Sequence, residues 1–109
     1  MTADPLPTQL MPHPVAASAI DQWDAARHAA LGMALLGQGR GAEALVALRG
    51  AAAFGDKSPA TLLNFALAED RAGDPAKAQA MMRSLADHLP DWDEPPLRLG
   101  ESLRRAGNL

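Results

Sequence analysis

The chain contains no cysteine. That excludes a disulfide framework, a zinc knuckle and any thiol chemistry, and it agrees with a cytoplasmic protein. Aromatic residues supply only 4% of a sequence that is 48% hydrophobic. Alanine, leucine and methionine must therefore fill the interior, which suits close helix–helix packing better than a sheet. No positive charge dominates: the formal net charge is −3 and the isoelectric point about 5.5, so the chain lacks the electrostatic footprint of a DNA- or RNA-binding protein. No apolar run approaches the roughly 18 residues of a membrane helix. The opening MTADPLPTQLMPHPV has neither a basic start nor a continuous apolar stretch, so it does not read as a signal peptide. The expectation is a soluble, intracellular protein of 109 residues, one small domain with a modest core, not inserted in a membrane.

What the sequence does have is a period. Glycines occur in LGQGR at Gly39, in DRAGD at Gly73 and in LRRAGNL at Gly107, and 73 − 39 and 107 − 73 both equal 34. With these glycines in register, Leu31-Gly32 aligns with Phe65-Ala66 and Leu99-Gly100, while Leu35 and Leu103 match around Glu69. Ala44, Leu48 and Ala51 align with Ala78, Met82 and Leu85. The copies run over 25–58, 59–92 and, incompletely, 93–109. Gly32, Ala66 and Gly100 fall inside helices, where glycine costs about 1 kcal/mol relative to alanine. Small side chains there let an antiparallel partner come close, with Ala44 and Ala78 as the matching small residues. Leu31, Leu35, Leu48, Phe65, Met82, Leu99 and Leu103 fill the rest of the seam at i, i+4 spacing.

Helix ends agree with the period. Ser58-Pro59 and Asp74-Pro75 read as N-caps followed by proline at the first helical position. Asp93 reads as a third cap, with Trp92 and Leu97 spaced as a hydrophobic staple. Ser18 and Asp21 suggest a capping box that starts an extended first helix and adds Ile20 and Trp23 to its apolar stripe. The pattern predicts five helices near 18–38, 41–54, 59–72, 75–88 and 94–106, behind a proline-rich arm over 1–17 that is disordered or extended. The helical domain spans 18–109. Its last helix caps the second repeat, marks a boundary within a longer array, or is buried by a second copy.

The segments HAALGMAL, LLNFALAE and PPLRLGES, with EALVALRGA and KAQAMMRSL after the first two, resemble the tetratricopeptide-repeat family. The resemblance begins near Ala25 and covers two repeats and the first helix of a third. His28, Leu62 and Pro96 replace the usual tryptophan, and Leu48 and Met82 replace a usual aromatic. It implies an all-α fold, an α-solenoid of antiparallel helix pairs coiled into a right-handed superhelix. It also implies a concave groove lined by the first helices, which takes a protein or peptide partner.

Candidate chemistry elsewhere is sparse. Asp24 and His28 share a helix face but make only half a metal site, and His28 falls on a seam position, so it reads as a packed histidine. DHLPDWDEPP gathers acids and a histidine, yet its prolines make it an inter-repeat turn, and it lacks the spacing of a calcium loop. No nucleophile, base or phosphate-loop motif is present. Arg98, Arg104 and Arg105 suit the last turns of a helix and have no aromatic platform for nucleic acid. The sequence thus predicts no catalytic residue, no cofactor and no metal.

Carried over from the resembled family, the groove positions give Met33, Leu36, Leu63, Leu67, Asp70, Arg71, Leu97, Glu101, Arg104 and Arg105, flanked by Ala26, Ala29, Gly37, Ala60 and Glu94. Some members clamp a peptide carboxylate at further positions. Asn64 and Arg98 match that clamp here, but Ala29, Met33 and Glu94 replace its other members, which argues against chaperone-tail binding. The leading expectation is a non-enzymatic module that holds a partner helix or peptide against an apolar patch of Met33, Leu36, Leu63 and Leu67. The alternatives are a self-associating scaffold, here a homodimer, and the N-terminal targeting domain of a longer enzyme.

Overall fold

A computed structural model describes residues 14–107, and the side chains from Ile20 onward. Of the predicted arm over 1–17, residues 1–13 lie outside the described residues, and 14–17 are helical rather than disordered or extended. Among those described there are five helices and no strand: α1 Pro14–Gly37, α2 Gly41–Ala53, α3 Pro59–Ala72, α4 Pro75–His88 and α5 Glu94–Arg105. Each packs on the next, and the fold is an all-α helical repeat. The expected bounds of α2 to α5 hold within a residue. The first helix instead begins at Pro14, so Ser18 lies inside it rather than at its cap. Proline is at home in a first turn, where its missing N–H would have no intrahelical partner.

The first hairpin closes where α1 has no side chain. A β-carbon placed on Gly32 would lie 2.4 Å from Leu48 Cγ, so α2 sits against bare backbone there, and Leu48 rather than Ala44 fills the gap. Leu35, Ala44, Leu45, Ala47, Leu48 and Ala68 form the resulting core. One turn earlier on α1, His28 occupies the matching space beneath Gly50, whose β-carbon would lie 2.5 Å from the imidazole Cδ2. His28 donates Nδ1–H to the Asp24 carbonyl at 2.7 Å and lies against the Phe54 ring, 5.3 Å between centroids. In the second hairpin, Leu63, Ala66, Ala78, Met82 and Leu85 form the equivalent core.

Two of the three expected caps form. Ser58 Oγ accepts from Thr61 N–H at 3.4 Å, and Asp74 Oδ1 accepts from Ala76 and Lys77 N–H at 3.0 and 3.3 Å. Asp93 makes no side-chain cap, because its own backbone is already helical at φ −77° and ψ −21°. The Trp92–Leu97 staple does not form: Trp92 packs against the second core, while Leu97 is 58% exposed. The periodic glycines also differ. Gly39 and Gly107 both adopt φ +77°, a left-handed turn that favours glycine. Gly73 has φ −125° and is crowded instead: a β-carbon there would displace the ends of the Glu69 and Leu45 side chains, Oε1 and Cδ2.

Leu31, expected in the seam, and Ile20 and Trp23, expected on the apolar stripe of α1, are all exposed. Leu31 is 53% exposed, although its equivalents Phe65 and Leu99 pack into cores. Those two lean on the preceding repeat, and the described residues before Leu31 offer no such support. Ile20 and Trp23, at 61% and 68% exposed, lie on the part of α1 that outruns the shorter α2.

Gly32 and Gly100 occupy one repeat position in opposite circumstances, since nothing lies within 4 Å of a β-carbon on Gly100. Gly32→Ala is expected to lower stability by about 1–3 kcal/mol through overpacking against Leu48. Gly100→Ala is expected to gain up to about 1 kcal/mol of helix propensity. Thermal unfolding followed by circular dichroism checks the pair, and equal midpoints for the two variants would contradict the close approach.

Candidate functional site

First helices approach one another closely along the stack, α1 with α3 and α3 with α5, whereas the backbones of the second helices α2 and α4 stay farther apart. The first-helix side is therefore the inner, more tightly curved one. The 34-residue period sets equivalent residues side by side there: Met33, Leu67 and Glu101 in one row, Leu36, Asp70 and Arg104 in another. The α1 end of both rows is apolar. Met33 is exposed, while Leu36 is half-buried against the first core and Leu67 against the second.

The α5 end is charged. Asp70, Arg71, Glu101, Arg104 and Arg105 surround a surface cavity of about 610 Å³, bringing five of the expected groove residues together. Asp70 is tied into a network beneath it. Its Oδ1 accepts from Ser102 Oγ at 2.8 Å, its Oδ2 accepts from Arg105 at 2.5 Å, and Gln79 Nε2 donates to Ser102 Oγ at 3.1 Å. Ser102 is buried, so the Asp70 carboxylate meets a hydroxyl that would otherwise lose its partner. These bonds join α3, α4 and α5 at one point.

The other expected groove residues do not line this cavity. Leu63 is only 6% exposed and belongs to the second core, because its position on α3 faces Ala78 and Met82 rather than the inner side. Its equivalent Leu97 is exposed, since no described helix follows α5 to cover it. Asn64 is half-buried. Arg98 is held by Glu94 at 3.1 Å and Glu101 at 3.2 Å, which raises the guanidinium pKa through hydrogen bonding to both carboxylates.

Glu69 is the charged group that the sequence reading passed over. It stands where the flanking copies carry Leu35 and Leu103, and it is 1% exposed. Burial pushes its carboxyl upward. Lys77, the Asp74 N–H and Arg49 outweigh that and leave the pKa below the ordinary 4.5. Lys77 Nζ lies 3.0 Å from Oε2 as an ion pair outside hydrogen-bonding geometry, and Asp74 N–H donates to Oε1 at 3.2 Å. A charge at a seam position beside two cations was the available signal.

Among the described residues, no group of three or more histidines or acids is placed to hold a metal, and no helix is long and apolar enough to cross a membrane. The DHLPDWDEPP turn borders a separate cavity of about 530 Å³ with Pro59, His88 and Trp92 on its wall. His88 donates Nδ1–H to the Ser84 carbonyl at 2.8 Å. In comparisons with protein families, curated proteins and solved structures, the chain matches none.

Two measurements test this network. Asp70→Ala should leave buried Ser102 without its acceptor at a cost of about 1–3 kcal/mol. Amide exchange should then accelerate in α5 more than in α2, and uniform acceleration would contradict a local tie. Because the folded Glu69 pKa is depressed, its stabilisation is present above pH 4.5 and is lost as pH falls through the lower folded value. Urea midpoints recorded downward from pH 5 should therefore fall less steeply in Glu69→Gln than in the parent chain.

Proposed function

We propose that the chain is a non-enzymatic interaction module of the tetratricopeptide-repeat kind, holding a segment of a protein partner along its first-helix side. One observation supports this reading: the first helices lie close to one another while the second helices are held farther apart, so the inner side presents aligned rows of residues. Those rows pass from Met33, Leu36 and Leu67 to the charged cavity around Asp70 and Glu101. A partly exposed apolar strip beside a cavity of both signs suits an amphipathic helix, or an extended peptide, that carries a charged residue at one end. Asp70 is already engaged by Ser102 and Arg105. Arg71 and Arg104 form no ion pair among the described residues and are the cations available to a ligand.

The reading is checked by selecting a random peptide display library on the immobilised chain. Selected peptides should bind the Met33→Glu/Leu67→Lys variant at least about tenfold more weakly, the equivalent of 1.4 kcal/mol. Far-UV circular dichroism should be unchanged. Equal binding by the variant would remove this face from the function.

A further inference from the structure

We propose that the outward face of α1 is a self-association surface, on which a second copy of this chain lays its own α1 antiparallel. Successive residues of a helix turn by about 100°, which places Ile20, Trp23, Ala30, Leu31 and Ala34 on the arc opposite the one that meets α2. All five are exposed. Arg27 is the only charged residue on that arc, and Asp24 answers it from 3.5 Å within the helix. A helix apolar on both sides is a helix covered on both sides.

The chain itself shows how this face is treated elsewhere. Leu31 and Ala34 precede Phe65 and Ala68 by one 34-residue period, and Phe65 and Ala68 belong to the first core, beneath α2. The third equivalent of Leu31, Leu99, packs against the second core. A preceding helix thus covers this position wherever the structure supplies one.

A twin fits the face better than an arbitrary helix does, because the face complements itself. Of its bulky members, Ile20 and Trp23 lie towards the start of α1 and Leu31 near the middle of the face, while its small members Ala30 and Ala34 lie from there towards the end. Antiparallel pairing about a twofold axis between Arg27 and Ala30 sets each Trp23 over the other chain's Ala34. Parallel pairing would oppose tryptophan to tryptophan and leave a gap between alanines. The single charge, already paired internally, offers no repulsion. α1 has 24 residues against 13 in α2, so the portion that carries Ile20 and Trp23 runs past its own hairpin and along the twin's. This surface does not depend on the peptide groove, as none of these residues lines the charged cavity.

About 18 residues of helix span roughly 27 Å, a narrow interface of the weak class. Sedimentation equilibrium of the full chain from about 5 to 500 µM should then show monomer converting to dimer. Trp23→Glu/Leu31→Glu should weaken the dimer at least tenfold with unchanged helicity. Should that variant lose helicity, Ala34→Glu, a milder change on the same arc, replaces it. Because the chain has no cysteine, single-cysteine variants report the geometry. With diamide as oxidant, Ala30→Cys near the axis should crosslink to its twin, and Ala34→Cys, far from it, should not. A monomer at every concentration, a dimer indifferent to the glutamates, or equal crosslinking at both positions would each overturn the proposal.

Discussion

Gly32 lets Leu48 sit where a β-carbon would otherwise be, and this contact sets the distance between α1 and α2. Once the first hairpin is that tight, α3 can lean on both of its helices, with Phe65 and Ala68 joining the first core. The second hairpin repeats the arrangement with Ala66 in place of glycine and with Met82, fully buried, in place of leucine. A flexible side chain opposite a slightly larger backbone neighbour preserves the volume, which is what a closely packed interior demands. Curvature then follows, because successive first helices in contact occupy a shorter path than second helices held apart. The rows of residues along the inner side are a by-product of that packing.

Much of this architecture could be read from spacing alone. The 34-residue period located every helix, and Ser58 and Asp74 marked two starts through the chemistry of unsatisfied N–H groups. Failures occurred where the outcome depends on a neighbour rather than on the residue. A repeat pattern states that Leu31 and Phe65 are equivalent, and it is silent on whether a helix stands in front of each. The same blindness put Ile20 and Trp23 into a stripe with nothing beside it among the described residues. The Asp93 cap failed because that residue's backbone had already turned helical, a property of the preceding turn.

The candidate site was legible to a lesser degree. Positions carried from the resembled family brought Asp70, Arg71, Glu101, Arg104 and Arg105 to one cavity, and placed Met33 and Leu67 in line with Glu101. They misplaced Leu63, whose side chain the second hairpin needs for its own core. They also gave no hint that Asp70 holds Ser102, since a hydrogen bond across more than thirty residues leaves no local trace in the chain. His28 under Gly50 lay closer to hand. Moving one turn back on α1 from Gly32 moves forward on α2 from Leu48 to Gly50, so a large residue facing a glycine was there to be paired.

Chains assembled from similar units can fold out of step, with one unit seated in the place of its neighbour. Glu69 works against that error. In the native order it meets Lys77, Arg49 and the Asp74 amide, while Leu35 and Leu103 hold the same place in the other units. Sliding by a whole unit would drive a carboxylate into an alkyl nest and strand a leucine among cations. The one unit that breaks the pattern thereby numbers the others, and the order of the stack is written in a single misfit.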